Sequence, residues 1–294
     1  MGKSNYLIKL KQLFNLLVEN DVHNMSKFSE DKSAILKVFS ITKDNVKADV
    51  LTRLTLIDSM YSTQMSRRYY ALDELADALI DIDRTQNLRT LFISFTKDPQ
   101  KYADYFNYEN GKNLFSECYG IGKDGKSKGV AVSLISKYAY FLTEFKFPIY
   151  DSIACEMYPL VWRRCGFAIP VPKLIIKDVN GRVLGKQTMV TYIQAINTLI
   201  KQLECKNLNY DLLDRYLWFV GKIRRGNLSL ILSREEYEYT INMSESKNIT
   251  TINKNGKEKT KTIYFNIDHI DIGKLEYLKN NPILKSFFEL AKVT

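Results

Sequence analysis

A lysine, Lys137, and an aspartate, Asp151, stand on either side of a turn that contains Pro148. An amine can attack the anomeric carbon of a sugar and form a Schiff base. A carboxylate can stabilise the positive charge that develops on that sugar, or it can activate a water molecule. A helix followed by a chain reversal can bring the two side chains into one cleft. The pair could therefore cleave a glycosidic bond.

The intervening residues predict how this pair is held. An apolar stripe at helical spacing predicts a helix over residues 137–142; it consists of Tyr138, Phe141, Leu142 and Phe145. Pro148 cannot continue a helix, and it pushes the residue before it into extended backbone. Asp151 then arrives at the N-cap of a second helix, so capping alone is an equally good interpretation of that residue.

The wider chain has a mainly helical pattern up to about residue 230. Apolar stripes at helical spacing occupy residues 6–18, 47–60, 69–82, 129–145, 152–163, 189–204 and 209–222. Asn180-Gly181 lies between two β-prone runs and predicts a β-hairpin insertion at about 173–187. Alternating residues after Ser233 predict a β-hairpin, followed by a last helix at about 272–290. We therefore expect a mainly α protein, with a helical body over residues 1–232 and a C-terminal α+β extension over residues 233–294.

Composition favours a polyanionic partner. The 294 residues include 43 Lys and Arg against 33 Asp and Glu, a net charge of +10, although a merely lysine-rich surface would have the same charge. Charged residues interrupt every apolar run well short of the ~20 residues that span a membrane, so we expect a cytoplasmic protein without a membrane partner. The four cysteines form no C-x-x-C pair and there are only two histidines. No metal, iron–sulfur cluster or other cofactor is predicted.

The segment around Pro148 resembles the helix-hairpin-helix DNA glycosylases, and among them the 8-oxoguanine glycosylases. In that superfamily a helix led by a lysine precedes a "Pro, apolar, apolar, Asp" element, which here is Pro148-Ile149-Tyr150-Asp151. Family members also carry an earlier apolar helix with a polar "Leu-Ser-Gln-Gln-Thr"-like tip, and residues 54–64 are similar to it. The resemblance covers roughly residues 48–160. It implies an orthogonal α-helical bundle that flips a base out of double-stranded DNA.

The resemblance also implies roles for individual residues. Lys137 would be the nucleophile of an AP-lyase step, and Asp151 would assist cleavage of the N-glycosidic bond. The family hairpin "Leu-Pro-Gly-Val-Gly" is absent before Lys137, where residues 131–136 read Ala-Val-Ser-Leu-Ile-Ser. A Gly-x-Gly element does precede Lys123, so Lys123 is the alternative hairpin lysine.

Further residues are candidates for contact with DNA or with the flipped base. The polar tip of the earlier helix would fill the gap in the duplex, two arginines would contact phosphates, and an aspartate and a tryptophan on one helix face would read and stack on the base. These residues are Tyr61, Ser62, Gln64, Arg67, Arg68, Asp214 and Trp218. The structural alternatives are core packing for Tyr61 and Trp218, and an ion pair of Asp214 with Arg215 or Lys222.

The sequence thus predicts a DNA glycosylase for a damaged or modified base, with or without lyase activity. Two alternatives remain open: a non-catalytic helical DNA-binding protein on the same scaffold, and a phage-defence factor that recognises modified DNA. The sequence predicts neither the base nor any particular protein partner.

Overall fold

A computed structural model describes residues 3–19, 27–108, 112–126, 129–227, 247–252, 258–263, 267, 272–274, 278 and 280–293. The protein is mainly helical. Its α-helices are α1 (Lys3–Glu19), α2 (Lys27–Ile41), α3 (Lys47–Tyr61), α4 (Ala71–Thr85), α5 (Leu88–Lys97), α6 (Pro99–Tyr102), α7 (Val132–Leu142), α8 (Ser152–Cys165), α9 (Gly185–Leu203), α10 (Tyr210–Arg224) and α11 (Pro282–Val293). Short 3₁₀ turns occupy Met65–Arg67, Ala103–Phe106 and Ile272–Lys274.

Helix α7 lies at the centre of the molecule. Every residue of this helix except Ser133 is buried, because its sequence is apolar on nearly all sides. It packs against α2, α3 and α5. Next to it lies a cluster of aromatic rings in mutual contact, formed by Phe92, Phe95, Phe106, Phe115 and Phe147. Lys137 is therefore carried by the most deeply buried helix of the fold.

Helices α8 and α10 pack very closely, and a glycine allows this. A Cβ atom at Gly221 of α10 would lie 2.4 Å from Cγ2 of Ile153 in α8, a distance that real side chains do not tolerate. Helix α10 also packs on α11, and α1 packs on both α8 and α11. The close approach at Gly221 brings the C-terminal half of α10 beside the first turn of α8.

The strands are few and short. β1 (Asn107–Tyr108) pairs antiparallel with β2 (Lys112–Asn113), and β3 (Lys247–Ile252) pairs antiparallel with β4 (Glu258–Ile263). Lys247 lies opposite Ile263 in the second pair. The predicted boundary between body and extension, at residues 232 and 233, lies outside the described residues.

The predicted hairpin at 173–187 is much reduced. A turn at Asp178–Gly181 is closed by a single antiparallel bridge between Lys177 and Val183. The second strand has no room to extend because α9 begins at Gly185. A Cβ atom on this glycine would lie 1.7 Å from the carbonyl oxygen of Phe115, so the chain turns into the helix against that backbone.

The predicted helical stripes correspond to α1, α3, α4, α7, α8, α9 and α10. The last helix begins later than expected, at Pro282, where the Asn281 side chain accepts a hydrogen bond from the Leu284 amide. Of the helices within the described residues, none combines the length and apolar character that crossing a bilayer requires.

Candidate active site

A cleft of about 640 Å³ opens between helices α2, α3, α7, α8 and α10. Both candidate reacting residues line it, together with several of the residues predicted to contact DNA. Its walls are formed by Asp31, Met60, Tyr61, Ser62, Thr63, Gln64, Ser133, Lys137, Asp151, Ser152, Ile153, Trp218, Lys222 and Arg225. Residues from five separate helices thus meet around one space.

Lys137 is buried at the inner wall of the cleft, with 2% of its surface exposed. Its Nζ donates a hydrogen bond to Ser133 Oγ at 2.8 Å and lies 5.5 Å from the ring centroid of Tyr61. Among the described residues it forms no ion pair with a carboxylate. Burial lowers the pKa of Lys137, and the charges of Asp151 and Asp214 oppose that effect only in part. Burial therefore shifts the equilibrium of the Lys137 amine towards its neutral form, which is the nucleophilic one.

Asp151 occupies the N-cap of α8, as its position after the proline turn predicted. Its Oδ1 accepts a hydrogen bond from the Ala154 amide at 2.8 Å. The side chain is only half-buried and also lines the cleft. Capping and a role in the cleft are therefore compatible, because a carboxylate has a second oxygen with which to act.

The chain before Asp151 is tied directly to the helix that carries Lys137. Oγ of the fully buried Ser136 accepts a hydrogen bond from the Tyr150 amide at 3.0 Å and donates one to the Ser133 carbonyl at 2.9 Å. Ser136 precedes Lys137, and Tyr150 precedes Asp151. A buried hydroxyl therefore ties the segment that carries Asp151 to the helix that carries Lys137.

A second anchor holds the same connection from the other side. The hydroxyl of Tyr192, in α9, donates to the carbonyl of Ile149 at 2.5 Å. The segment that delivers Asp151 to the cleft is thus bound to two helices.

The rim of the cleft is built on the turn that follows α3. The Asp58 carboxylate accepts hydrogen bonds from the Met65 amide at 2.8 Å, from the Ser66 amide at 2.9 Å and from the Thr63 hydroxyl. Burial opposes ionisation of Asp58, but these hydrogen bonds outweigh it and lower its pKa. Ser62 and Gln64 have left-handed backbone, with φ of 49° and 62°, a conformation that costs energy in residues other than glycine.

Tyr61, Ser62 and Gln64 all lie at this rim. Tyr61 is half-buried, and its ring lies 5.9 Å from that of Phe141. It therefore packs on the core and lines the cleft at once. Ser62 and Gln64 are exposed.

Arg67, Arg68 and Lys123 are not among the residues that line the cleft. Arg67 is exposed and contacts Gln64 Oε1 at 3.3 Å. The Arg68 guanidinium donates to the carbonyl of Gly129 at 2.7 Å, and so braces the loop before α7. Lys123 is exposed on that loop.

The glycines before Lys123 use their backbone amides within the protein. The Gly120 amide donates to Glu74 Oε2 at 2.7 Å, and the Gly122 amide donates to the Lys126 carbonyl at 3.0 Å. Of the two lysines, Lys137 is the one that shares a cleft with Asp151.

Asp214 and Trp218 both lie on α10, but of the two only Trp218 is among the residues that line the cleft. Trp218 is half-buried and lines the cleft, and the Nζ of Lys222 lies 5.4 Å from its ring centroid. The side chain of Asp214 is deeper, only 11% exposed, with Oδ2 at 3.9 Å from Lys32 Nζ. Burial raises the pKa of Asp214 to about 7; the charge of Lys32 opposes this, and the nearby Asp151 adds to it.

A buried polar network behind Asp214 was not anticipated from the sequence. Nζ of Lys32, in α2, donates to Asp211 Oδ1 at 2.6 Å and to the Tyr140 hydroxyl at 2.5 Å, and that hydroxyl also hydrogen bonds to Asp211. Arg215 pairs with Asp211 at 2.9 Å. Helix α2 itself was not predicted. No local pattern relates Lys32 to Asp211, because their contact depends on how α2 packs against α7 and α10.

Ser133 and Ser136 were also missed as functional candidates. For Ser133 the signal was in the sequence, because side chains four residues apart share a helix face. Ser133 therefore had to face Lys137 once the helix was assigned. Within the described residues no group of three or more His, Cys, Asp or Glu side chains is arranged to hold a metal ion.

Comparisons of the chain with protein-family models, with curated proteins and with solved structures find no match. A function must therefore be inferred from the chemistry of the cleft.

Proposed function

We propose that this chain is a DNA N-glycosylase that excises a damaged or modified base, with Lys137 and Asp151 at the reacting centre. The observation that carries the proposal is that a buried lysine without a carboxylate partner among the described residues shares a cleft with an aspartate. Burying an amine costs free energy, so the burial of Lys137 would not by itself stabilise the fold. Perturbed ionisable groups in a cleft are typical of functional sites.

The chemistry follows from the two side chains. Asp151 would stabilise the cationic sugar as the bond between C1′ and the base breaks. The lone pair on Lys137 Nζ would form the new bond to C1′, and Asp151 would accept the proton that the amine loses. The electron pair of the broken bond leaves with the base, which is then protonated. The nitrogen lone pair then expels O4′, which takes up a proton as the sugar ring opens, and this leaves a Schiff base between Nζ and C1′. Loss of a proton from C2′ then expels the 3′ phosphate, which is the lyase step.

The remaining walls of the cleft support a nucleotide as the substrate. Trp218 and Tyr61 offer aromatic faces on which a flipped base can stack, at about 1–3 kcal/mol per base. Lys222 of α10 and Arg225, which caps that helix and pairs with Glu156, lie at the same wall. Lys222 supplies positive charge there for a phosphate. The volume of about 640 Å³ lies within the range of small-molecule sites.

The experiment is borohydride trapping with a panel of duplexes that carry an abasic site or one modified base. We expect a covalent adduct with the natural protein, its loss in Lys137→Gln, and loss of base release in Asp151→Asn. Lys123→Gln is the matched control, since it removes an exposed lysine of the rival loop and should leave trapping unchanged. Trapping lost in Lys123→Gln and kept in Lys137→Gln would overturn the assignment of the nucleophile.

A non-catalytic DNA-binding protein is the second candidate. The observation that favours it is the hydrogen bond from the Ala154 amide to Asp151, which gives the aspartate a sufficient role as a helix cap. This candidate predicts salt-dependent binding to duplex DNA with neither base release nor adduct on any duplex in the panel.

A further inference from the structure

Ser133 is the polar group in contact with the Lys137 amine. It lies one helical turn before the lysine on α7, with its Oγ 2.8 Å from Nζ. It is the one residue of α7 that is not buried, and it lines the same cleft. The ring of Tyr61 lies on another side of the amine, 5.5 Å from Nζ to its centroid. The amine is thus confined between a hydroxyl and an aromatic ring.

The chemistry of this partner matters. A carboxylate in the position of the Ser133 hydroxyl would favour the ammonium form, which has no lone pair with which to attack. A hydroxyl oxygen accepts a hydrogen bond from the amine and places no charge beside it. It therefore fixes the direction of Nζ while leaving the neutral form available.

Ser133 also belongs to the unit that positions Asp151. Its backbone carbonyl accepts the hydrogen bond of Ser136 Oγ, and the same Oγ accepts from the Tyr150 amide. The side chain of Ser133 orients the lysine, and its carbonyl takes part in orienting the aspartate.

We propose that Ser133 is a positioning residue that holds the Lys137 amine, through an uncharged hydrogen bond, in the orientation from which it attacks an electrophilic carbon. The inference rests on the proposed function for the identity of the natural electrophile. The hydroxyl itself does not react.

Several charged or titratable groups surround this amine and bear on any pH profile. Tyr61 faces it from α3, Asp151 from the cap of α8, and Asp214 from α10. The other groups along the cleft walls are Asp31 from α2, Lys222 from α10 and Arg225 at the C-cap of α10. The Ser133 variants leave all of these groups in place. A change in the pH profile of Schiff-base formation therefore reports on the contact between residue 133 and the Lys137 amine.

The experiment measures Schiff-base formation by two routes across a pH series. One is single-turnover borohydride trapping on a duplex with an abasic site. The other is reductive methylation of Lys137 by formaldehyde and cyanoborohydride, followed by mass spectrometry, which needs no DNA. The variants are Ser133→Ala, Ser133→Thr and Ser133→Asp, with the exposed Ser116→Ala as a matched control.

We expect Ser133→Ala to slow both reactions by about 3- to 10-fold, the effect of losing one hydrogen bond. Ser133→Thr, which keeps the hydroxyl, should restore the rates to within about twofold. Ser133→Asp should move the pH midpoint of both reactions upward, because its charge stabilises the ammonium. Ser116→Ala should behave as the natural protein.

The outcomes separate the inference from the function on which it rests. No trapping by the natural protein, with methylation that still depends on Ser133, would remove the lyase step of Lys137 from the proposed function and keep the positioning role. Methylation of Lys137 that is equal in the natural protein and in Ser133→Ala at every pH would overturn the inference. Equal loss in the alanine and threonine variants would also overturn it, since the effect would then come from packing.

Discussion

Replacing Lys137 by methionine should stabilise the folded protein while it abolishes Schiff-base formation. The Lys137 side chain is 2% exposed, and it has no ion-pair partner among the described residues. Burying a polar group that is incompletely compensated costs about 1–3 kcal/mol in proteins. Methionine has a similar length, fits irregular space and makes favourable contacts with aromatic rings such as that of Tyr61.

The net magnitude follows from two opposing contributions. Methionine removes the cost of burying the amine and adds apolar burial, but it loses the hydrogen bond to Ser133, which contributes about 1 kcal/mol. Because Ser133 is half-buried beside the cleft, its freed hydroxyl can bind water. We therefore expect Lys137→Met to raise the free energy of unfolding by about 1–2 kcal/mol at neutral pH.

The pH dependence identifies the cause. Burial lowers the pKa of Lys137 in the folded state, while an unfolded lysine titrates at about 10.4. Between these two pKa values the unfolded chain holds a proton that the folded protein lacks, so stability rises with pH across that window. The advantage of the methionine variant should therefore be largest below the folded pKa and should shrink towards pH ~10.4.

The assay is urea denaturation followed by circular dichroism at about pH 7 and about pH 10. Lys123→Met is the control, because that lysine is exposed and its removal should change stability by no more than about 0.5 kcal/mol. A loss of more than about 1 kcal/mol in Lys137→Met at both pH values would refute the reasoning, since it would mean that the lysine contributes to the fold.

Three further perturbations test the surroundings of the cleft. Ser136→Ala should lower the free energy of unfolding by about 1–3 kcal/mol, because it leaves the amide of the half-buried Tyr150 without its acceptor; an unchanged urea midpoint would contradict the anchoring role. Asp58→Ala should lower the free energy of unfolding by a similar amount. It should also speed hydrogen exchange of the Met65 and Ser66 amides, which donate to the Asp58 carboxylate in the natural protein; unchanged protection of these amides would count against this. Asp214→Asn should be more stable than the natural protein above about pH 7. Burial raises the pKa of Asp214 to about 7, whereas an unfolded aspartate titrates at about 4. Between these two pH values the folded natural protein holds a proton that the unfolded chain lacks, so its stability falls as pH rises. A gain on the order of a few kcal/mol is expected; parallel stability–pH curves for the two proteins would refute it.

Most of the longer helices were readable from the sequence through a regular apolar face. Helix α5 was missed although Leu88, Leu91, Phe92 and Phe95 form a regular stripe after the Asn87 cap. Helix α2 was missed for a physical reason. Its buried face carries a charged residue, Lys32, so the apolar periodicity is broken.

Local chemistry determined the arrangement immediately around the proline turn. Pro148 keeps a helix from running through the turn that follows α7, and Asp151 caps the next helix, because both effects act within a few residues of backbone. The pairing of Ser133 with Lys137 on one helix face is equally local. For these features the amino-acid sequence was sufficient.

Tertiary structure decided the environment that gives these residues their chemistry. Whether Lys137 or Lys123 shares a cleft with Asp151 depends on which helix is buried at the centre of the fold. The raised pKa of Asp214 depends on burial and on the nearby charge of Asp151, against the opposing charge of Lys32. Solvent exclusion and through-space charge depend on distances between segments far apart in the chain, and packing alone sets those distances.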